Sequence, residues 1–349
     1  MSTSSPDQDK VMPAAEVHGV RTGPSPAARR PATPAGGVVV ETRNLSKQYG
    51  RIEALKGVTL TVRKGEIFGL LGQNGAGKTT MVKILLGITR ATMGEASLLG
   101  EPVGTPRVRR HIGYLPEDHR FPDYHTGYSL LDFYGALLEV PAADRKRRIE
   151  ENLDMVGLKN RMHYKVRTYS KGMKQRLGIA QALFHEPDVI FLDEPTDGVD
   201  PLGRKQIRDL LLSLKNEGRT IFLNSHLLGE VELICDRVII LHNGEILRQG
   251  AIEELTRQRG LFLLKVAEGQ PFPRDDIVKA GYQVSRRDDF WEVALTDGQT
   301  IDPVVDLLRS RGLGLRHLEE KHHALEDIFI ETVEAVEPVE PARRRPARR

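Results

Sequence analysis

Apolar and polar positions change period several times along the chain. "VVVETRNLSKQYG", residues 38–50, alternates and predicts a strand. "VTLTVRKGEIFGLLG" predicts two strands with a turn at Lys64-Gly65. "KTTMVKILLGI" has the apolar spacing of a helix. From His119 to about Asn160 the chain is polar, aromatic and helix-like, including "RKRRIEENLDMVGL". This stretch predicts a helical insertion, about residues 119–180, between two halves of an α/β core. "DVIFLDEP" and "TIFLNSH" follow as short continuous apolar runs, a pattern suited to strands buried on both faces of a parallel sheet. Helical segments separate them, the alternation of βαβ units. After Thr256 the pattern shifts again. "LFLLKVA", "DIVKAGY", "FWEVAL", "IDPVVDLLRSRG" and "HALEDIFIETV" predict a small α+β domain with a ferredoxin-like order and Trp291 in its core.

The two ends carry no such periodicity. Residues 1–37 are rich in Pro, Ser, Ala and Gly and read as a disordered arm. Residues 336–349 end in "PVEPARRRPARR" and read as a disordered basic tail. The expected organisation is an arm at 1–37, a core domain at 38–256, an accessory domain at 257–335 and a tail at 336–349. A length of 349 residues agrees with about two domains plus tails.

Composition narrows the class. Hydrophobic residues at 39% and charged residues at 28% describe a soluble globular chain. No apolar run approaches the ~18 residues that span a bilayer, and the amino-terminal stretch lacks the apolar segment of a secretory signal. The single cysteine, Cys235, sits in the apolar run "VELICDRVIIL" and has no partner for an internal disulfide, as expected in a reducing cytoplasm. A net charge of +3 gives no argument for nucleic acid as a partner.

The chemistry begins at Gly72. "GQNGAGKT" fits G-x-x-x-x-G-K-[ST], between a predicted strand and a predicted helix. Residues Gly72, Gln73, Asn74, Gly75, Ala76 and Gly77 lack bulk where backbone N–H groups must converge. With the helix start at Lys78, Thr79 and Thr80 they form an anion site for a triphosphate. Lys78 would bridge the β- and γ-phosphates and the Thr79 hydroxyl would ligate Mg²⁺. "VIFLDEP" adds Asp193 and Glu194 at a strand end. Asp193 suits a direct or water-mediated contact to Mg²⁺. Glu194 is placed to polarise an attacking water, or to cap the helix that follows Pro195.

"YSKGMKQRLGIAQAL", Tyr169 to Leu183, lies just upstream of that strand. At this point the chain resembles the ABC ATPases over residues 38–255. Their signature L-S-G-G-Q is matched at Ser170 and Gly172, with Tyr169, Lys171 and Met173 in place of Leu, Gly and Gln. The resemblance implies an α/β P-loop NTPase core with a helical subdomain, and ATP and Mg²⁺ as ligands. Ser170 and Gly172 would contact the ATP held by a partner subunit. The family places an adenine-stacking ring at Tyr49 and a γ-phosphate-contacting histidine at His226. "TDGVDP" resembles its dimer-contacting loop, with Asp200 retained. Glu194, His226 and Lys78 are then the catalytic residues.

One position departs from the family. Where the pattern has a glutamine for Mg²⁺, this chain has Glu117, whose charge attracts the metal and repels phosphate. At ~5 Å and an effective dielectric of ~20 each effect is about 3 kcal/mol. Asp193, Thr79 and Glu117 are the expected metal ligands.

The resemblance also implies partners: a second ATPase subunit in a homodimer, and a separate membrane permease contacted by the segment from Glu117 to Tyr128, with Phe121 exposed as its anchor. "LEDIFIETV" near the carboxyl end is similar to the ATPase subunits of bacterial exporters of drugs, lipids, polysaccharides or sodium. Such a subunit would lie in the cytoplasm, peripheral on the inner face of the cell membrane. The alternative is a non-transport ABC ATPase acting on nucleic acid or ribosomes. The single cassette without sustained heptads disfavours it.

Overall fold

The computed structural model describes residues 37–267, 269–296, 298–322 and 324–336. The expected arm and tail, apart from Gly37 and Val336, lie outside the described residues. The chain opens with β1 (Val38–Tyr49), β2 (Ile52–Arg63), β3 (Ile67–Leu71) and α1 (Lys78–Leu85). Next come β4 (Met93–Leu98), β5 (Glu101–Pro102), α2 (Pro106–Arg109) and β6 (Ile112–Leu115). Two helices, α3 (Gly127–Leu137) and α4 (Ala142–Met155), lead to α5 (Lys171–Leu183). The α/β pattern resumes with β7 (Val189–Asp193), α6 (Pro201–Asn216), β8 (Thr220–Asn224) and α7 (Leu228–Ile234), followed by β9 (Arg237–His242), β10 (Glu245–Ala251) and α8 (Ile252–Thr256). The last part comprises β11 (Arg257–Val266), α9 (Arg274–Lys279), β12 (Gln283–Arg287), β13 (Phe290–Ala294), α10 (Asp302–Ser310), β14 (Leu315–His322) and α11 (Leu325–Glu334).

Among the described residues three sheets form. The central one has strand order β10-β9-β3-β8-β7-β6, parallel except for the β9–β10 hairpin. Its inner strands are buried along their whole length, and period-2 alternation divides them between two cores. Phe68, Phe191 and Phe222 point to one face, where α1 and the antiparallel sheet β2-β1-β4-β5 cover them. Ile67, Ile190, Ile221 and Leu223 point to the other, against α5, α6 and α7. The Phe222 ring lies between the other two, tilted against both, with centroids 5.5 Å from Phe68 and 5.1 Å from Phe191.

Helices α3 and α4 pack on α5 beyond the edge strand β6 through Leu130, Leu131, Ile149 and Leu153. Thr126 opens α3 with a reciprocal capping box to Ser129. One sequence expectation needs correction here. Phe121 is half-buried, packed against this core with its ring 5.1 Å from that of His119. Tyr124 is the exposed aromatic of the segment, 70% accessible.

The carboxyl-terminal sheet runs β14-β11-β13-β12, all antiparallel, with chain order β-α-β-β-α-β. That is a split βαβ, ferredoxin-like arrangement. Its core gathers Leu264, Ile277, Tyr282, Val293, Val304 and Leu308, and Trp291 stacks on Phe272 at 4.5 Å. Helix α11 does not stay with this sheet. It packs against α7 and α8, placing Leu325 and Ile328 in the larger core.

Candidate functional site

Site residues collect where parallel strands end, the place an open α/β sheet offers a ligand. An open cleft of about 880 Å³ lies at the carboxyl ends of β3, β7 and β8, with the β1–β2 hairpin forming one wall. Its floor is the loop from Gly72 to Gly77. A Cβ at Gly72 would lie 2.3 Å from the Leu241 carbonyl oxygen, and one at Gly77 would lie 2.4 Å from that of Ala54. Gly77 also has φ 107°, a backbone state that penalises any side chain. Only glycine closes the loop this tightly. Gly77 caps α1 with no side-chain acceptor, so the first N–H groups of the helix keep no internal partner. Their positive dipole end meets the cleft.

Lys78 folds back over the loop and donates from Nζ to the carbonyl oxygens of Gly72 (2.6 Å) and Gln73 (3.2 Å). Burial lowers its pKa, opposed by the charges of Glu194, Asp193 and Glu117. Those three carboxylates balance a lysine that would otherwise stand against low-dielectric surroundings.

Asp193 ends β7 and is only 2% exposed. Asn224, at the end of the neighbouring β8, donates from Nδ2 to its Oδ1. Burial pushes the Asp193 carboxyl up to about 6, with the Glu117 and Glu194 charges adding to the shift and the Asn224 hydrogen bond and Lys78 opposing it. Asn224 Oδ1 is itself buried without a protein partner among the described residues.

Glu194 adopts a left-handed backbone, φ 51°. Three hydrogen bonds hold it there. Its N–H donates to the Asn224 carbonyl (2.9 Å), while its own carbonyl accepts from Gln175 Nε2 (2.9 Å) and from the Asp197 N–H (3.2 Å). Such strain persists where the surroundings over-determine it. The result aims the carboxylate at His226, whose Nδ1 lies 2.8 Å from Oε2. The His226 backbone N–H approaches the same oxygen at 3.3 Å.

These positions fit a hydrated divalent cation. Asp193, Glu117 and Thr79 supply oxygen donors, the set a hard cation prefers. Among the described residues no three His, Cys, Asp or Glu side chains cluster closely enough to hold a metal by themselves. Mg²⁺ would therefore be held jointly by Thr79, Asp193 and Glu117 with phosphate oxygens and water.

The expected site residues do not all meet. Gly72, Gln73, Asn74, Gly75, Gly77, Lys78, Thr79, Thr80, Glu117, Glu194 and His226 line the cleft, while Ala76 and Asp193 are buried just behind it. Tyr49 stands outside the lining, half-exposed, with Lys47 Nζ 4.8 Å from its ring centre. Arg51 and Ile52, from the turn beside it, line the wall instead. Ser170 caps α5, accepting from the Met173 N–H at 3.2 Å, and Asp200 caps α6, accepting from the Gly203 N–H at 2.7 Å. Neither they nor Gly172 face this chain's own cleft. Sequence reasoning missed Asn224 and Gln175, which orient Asp193 and Glu194. Asn224 closes the apolar run "TIFLN", and its polar character at a buried strand end was the available signal.

Phosphate cradle, buried aspartate and strained glutamate on this sheet define a P-loop nucleoside triphosphatase. Comparison with known proteins narrows the class. Residues 55–197 match the family model described as ABC transporter. An uncharacterised ABC transporter ATP-binding protein of Synechocystis is 41% identical over 88% of this chain and 88% of its own length. The bacitracin transport ATP-binding protein BcrA of Enterococcus faecalis is 35% identical over 84% of this chain and 96% of that one. A dimeric ATP-binding cassette, solved after hydrolysis with ADP and Pi bound, superposes with a TM-score of 0.55 at 27% identity, covering 61% of this chain and 98% of that one. The chain belongs to the ABC transporter ATP-binding proteins, and it is an ATP hydrolase of that class.

Proposed function

We propose that the protein is the ATP-hydrolysing subunit of an exporter, working as a homodimer beneath a separate membrane permease. The carrying observation is the division of the site. Cradle, carboxylates and His226 share one cleft, while the α5 end bearing Ser170 and Gly172 lies outside it. In a two-fold pair, each cleft would be completed by the α5 end of the other copy. The solved cassette dimer and the relative named for bacitracin transport support this reading. Among the described residues no helix is long and apolar enough to cross a membrane, so a transporter built on this chain needs another spanning component. The inner face of the cell membrane is the location this implies.

Within the cleft the residues divide the chemistry. The backbone N–H groups of 73–80 and the Lys78 ammonium bind the phosphates and stabilise charge as it develops on them. Mg²⁺, when bound, neutralises phosphate charge and orients the oxygens. Glu194 orients water and accepts its proton, and His226 fixes the Glu194 carboxylate. The base sits against the wall that carries Arg51 and Ile52, with Tyr49 at its rim. The permease contact falls within Glu117 to Tyr128 and extends to α3. There Tyr124, His125 and Phe133 form a surface line, with ring centroids 4.6 Å and 5.9 Å apart.

Glu194→Gln tests the proposal. The variant is expected to bind ATP, lose phosphate release and accumulate as an ATP-bound dimer in sedimentation. A monomer at saturating ATP, or near wild-type turnover, would overturn it.

A further inference from the structure

The α5 end is fastened to the segment that follows Glu194. Lys171, the first residue of α5, reaches Asp197 with Nζ 2.6 Å from Oδ2. Asp197 lines this chain's own cleft. The lysine holds the Asp197 carboxyl below its ordinary range through that hydrogen bond. The contact is more than a meeting of two charges. The lysine stem lies across Gly198, where a Cβ would stand 2.3 Å from Nζ and 2.5 Å from Cδ. Gly198 has φ 64°, so glycine is favoured there for conformation and for space. One residue along, a Cβ on Gly172 would stand 3.2 Å from Val199 Cγ1. Two stretches far apart in sequence thus run side by side without a gap.

We propose that Lys171 and Asp197 form an intrachain tie that sets the α5 end against the wall of this chain's own cleft, so that the end presented to a second copy is positioned by the site behind it. This rests on the reading of the protein as a dimer closed by ATP. Asp197 is three residues from Glu194, and its N–H bonds to the Glu194 carbonyl. Movement of Glu194 as its cleft fills is therefore passed through Asp197 to Lys171, and from there to Ser170 and Gly172. Lys171 acts here as a positioning residue. Both side chains are about half exposed or more, so the pair is a weak bond in itself. Its effect comes from where it lies.

The test uses the full chain carrying Glu194→Gln, which holds ATP, and reads ATP-driven dimerisation by sedimentation. Adding Lys171→Ala is expected to weaken dimerisation about 2- to 5-fold per tie, the range of an exposed ion pair. ATP affinity at dilutions where the chain is monomeric, and the melting temperature, should stay unchanged. Lys171→Arg should restore dimerisation. Lys171→Ala with Asp197→Ala should be no worse than the poorer single variant. If Glu194→Gln alone fails to dimerise with ATP, the functional reading fails. If it dimerises and Lys171→Ala changes nothing, or the two substitutions add independently, the tie alone is overturned.

Discussion

Asp193 carries an ionisable oxygen into a place that disfavours charge. Its folded pKa, about 6, stands above the 3.8 of an exposed aspartate. The folded metal-free protein therefore binds more protons than the unfolded chain between those values. Stability falls as pH rises through that window, and the loss is complete above it. The gap corresponds to about 3 kcal/mol. Asp193→Asn keeps an oxygen to accept from Asn224 and removes the buried charge. In metal-free, nucleotide-free buffer the variant should be more stable than wild type to urea at pH 8, with roughly half that gain at pH 5. Equal gains at the two pH values would show that the carboxylate is not the source. Lys78 behaves in the opposite sense, since its burial also disfavours charge but its purpose is an anionic ligand. Lys78→Ala should lower ATP affinity about 10- to 150-fold by calorimetry, the loss of one charge-assisted hydrogen bond. The loop itself should remain folded, because Gly72 and Gly77 set its course.

At the scale of elements, the local signals were legible and the long-range ones were not. The loop at 72–77, the strand ending in Asp193 and Glu194, and the helix from Lys78 can all be read from residue type and period. Asp200, read from the sequence only as part of the loop "TDGVDP", also caps α6, with Pro201 in its first turn. Phe121 could not be read this way. Arg120 and Pro122 beside it suggest exposure, yet its neighbours His119 and the α3–α5 core decide its burial. Gln175 was equally hidden, since its bond to the Glu194 carbonyl spans 19 positions. The correction changes the expected mutational pattern. Phe121→Ala should destabilise the helical subdomain, by about 1–3 kcal/mol for a half-buried ring. Tyr124→Ala should leave stability and basal ATPase intact while lowering affinity for the permease by about 1–3 kcal/mol. Measuring both variants by denaturation and by binding to the purified permease separates a packing residue from an anchor. The reverse pattern would return the contact to Phe121.

For the whole molecule, the decisive element is the last helix. The ferredoxin-like sheet has its own core. Helix α11 ties it to the ATPase. Leu325 and Ile328 are buried among residues of α7 and α8, and the Leu325 N–H donates to Glu232 Oε2 at 2.9 Å. Helix α7 begins two residues after His226, and Val231 on its inner side meets β3, the strand that leads into the phosphate loop. The accessory domain is thereby joined to the helix that follows the cleft's histidine. Truncating a buried leucine or isoleucine costs about 2–5 kcal/mol, and a buried unpaired charge costs more. With α11 seated in the ATPase core, the accessory sheet is coupled to that core through the helix, and the two should unfold in a single calorimetric transition. Leu325→Asp with Ile328→Asp should release the helix and split that transition in two, the later one resembling whichever domain is intrinsically more stable. ATP should then raise only one of the two melting temperatures, because the ligand stabilises only the fold that binds it. A single transition in the double variant, still raised as a whole by ATP, would show that the domains are joined by contacts other than α11.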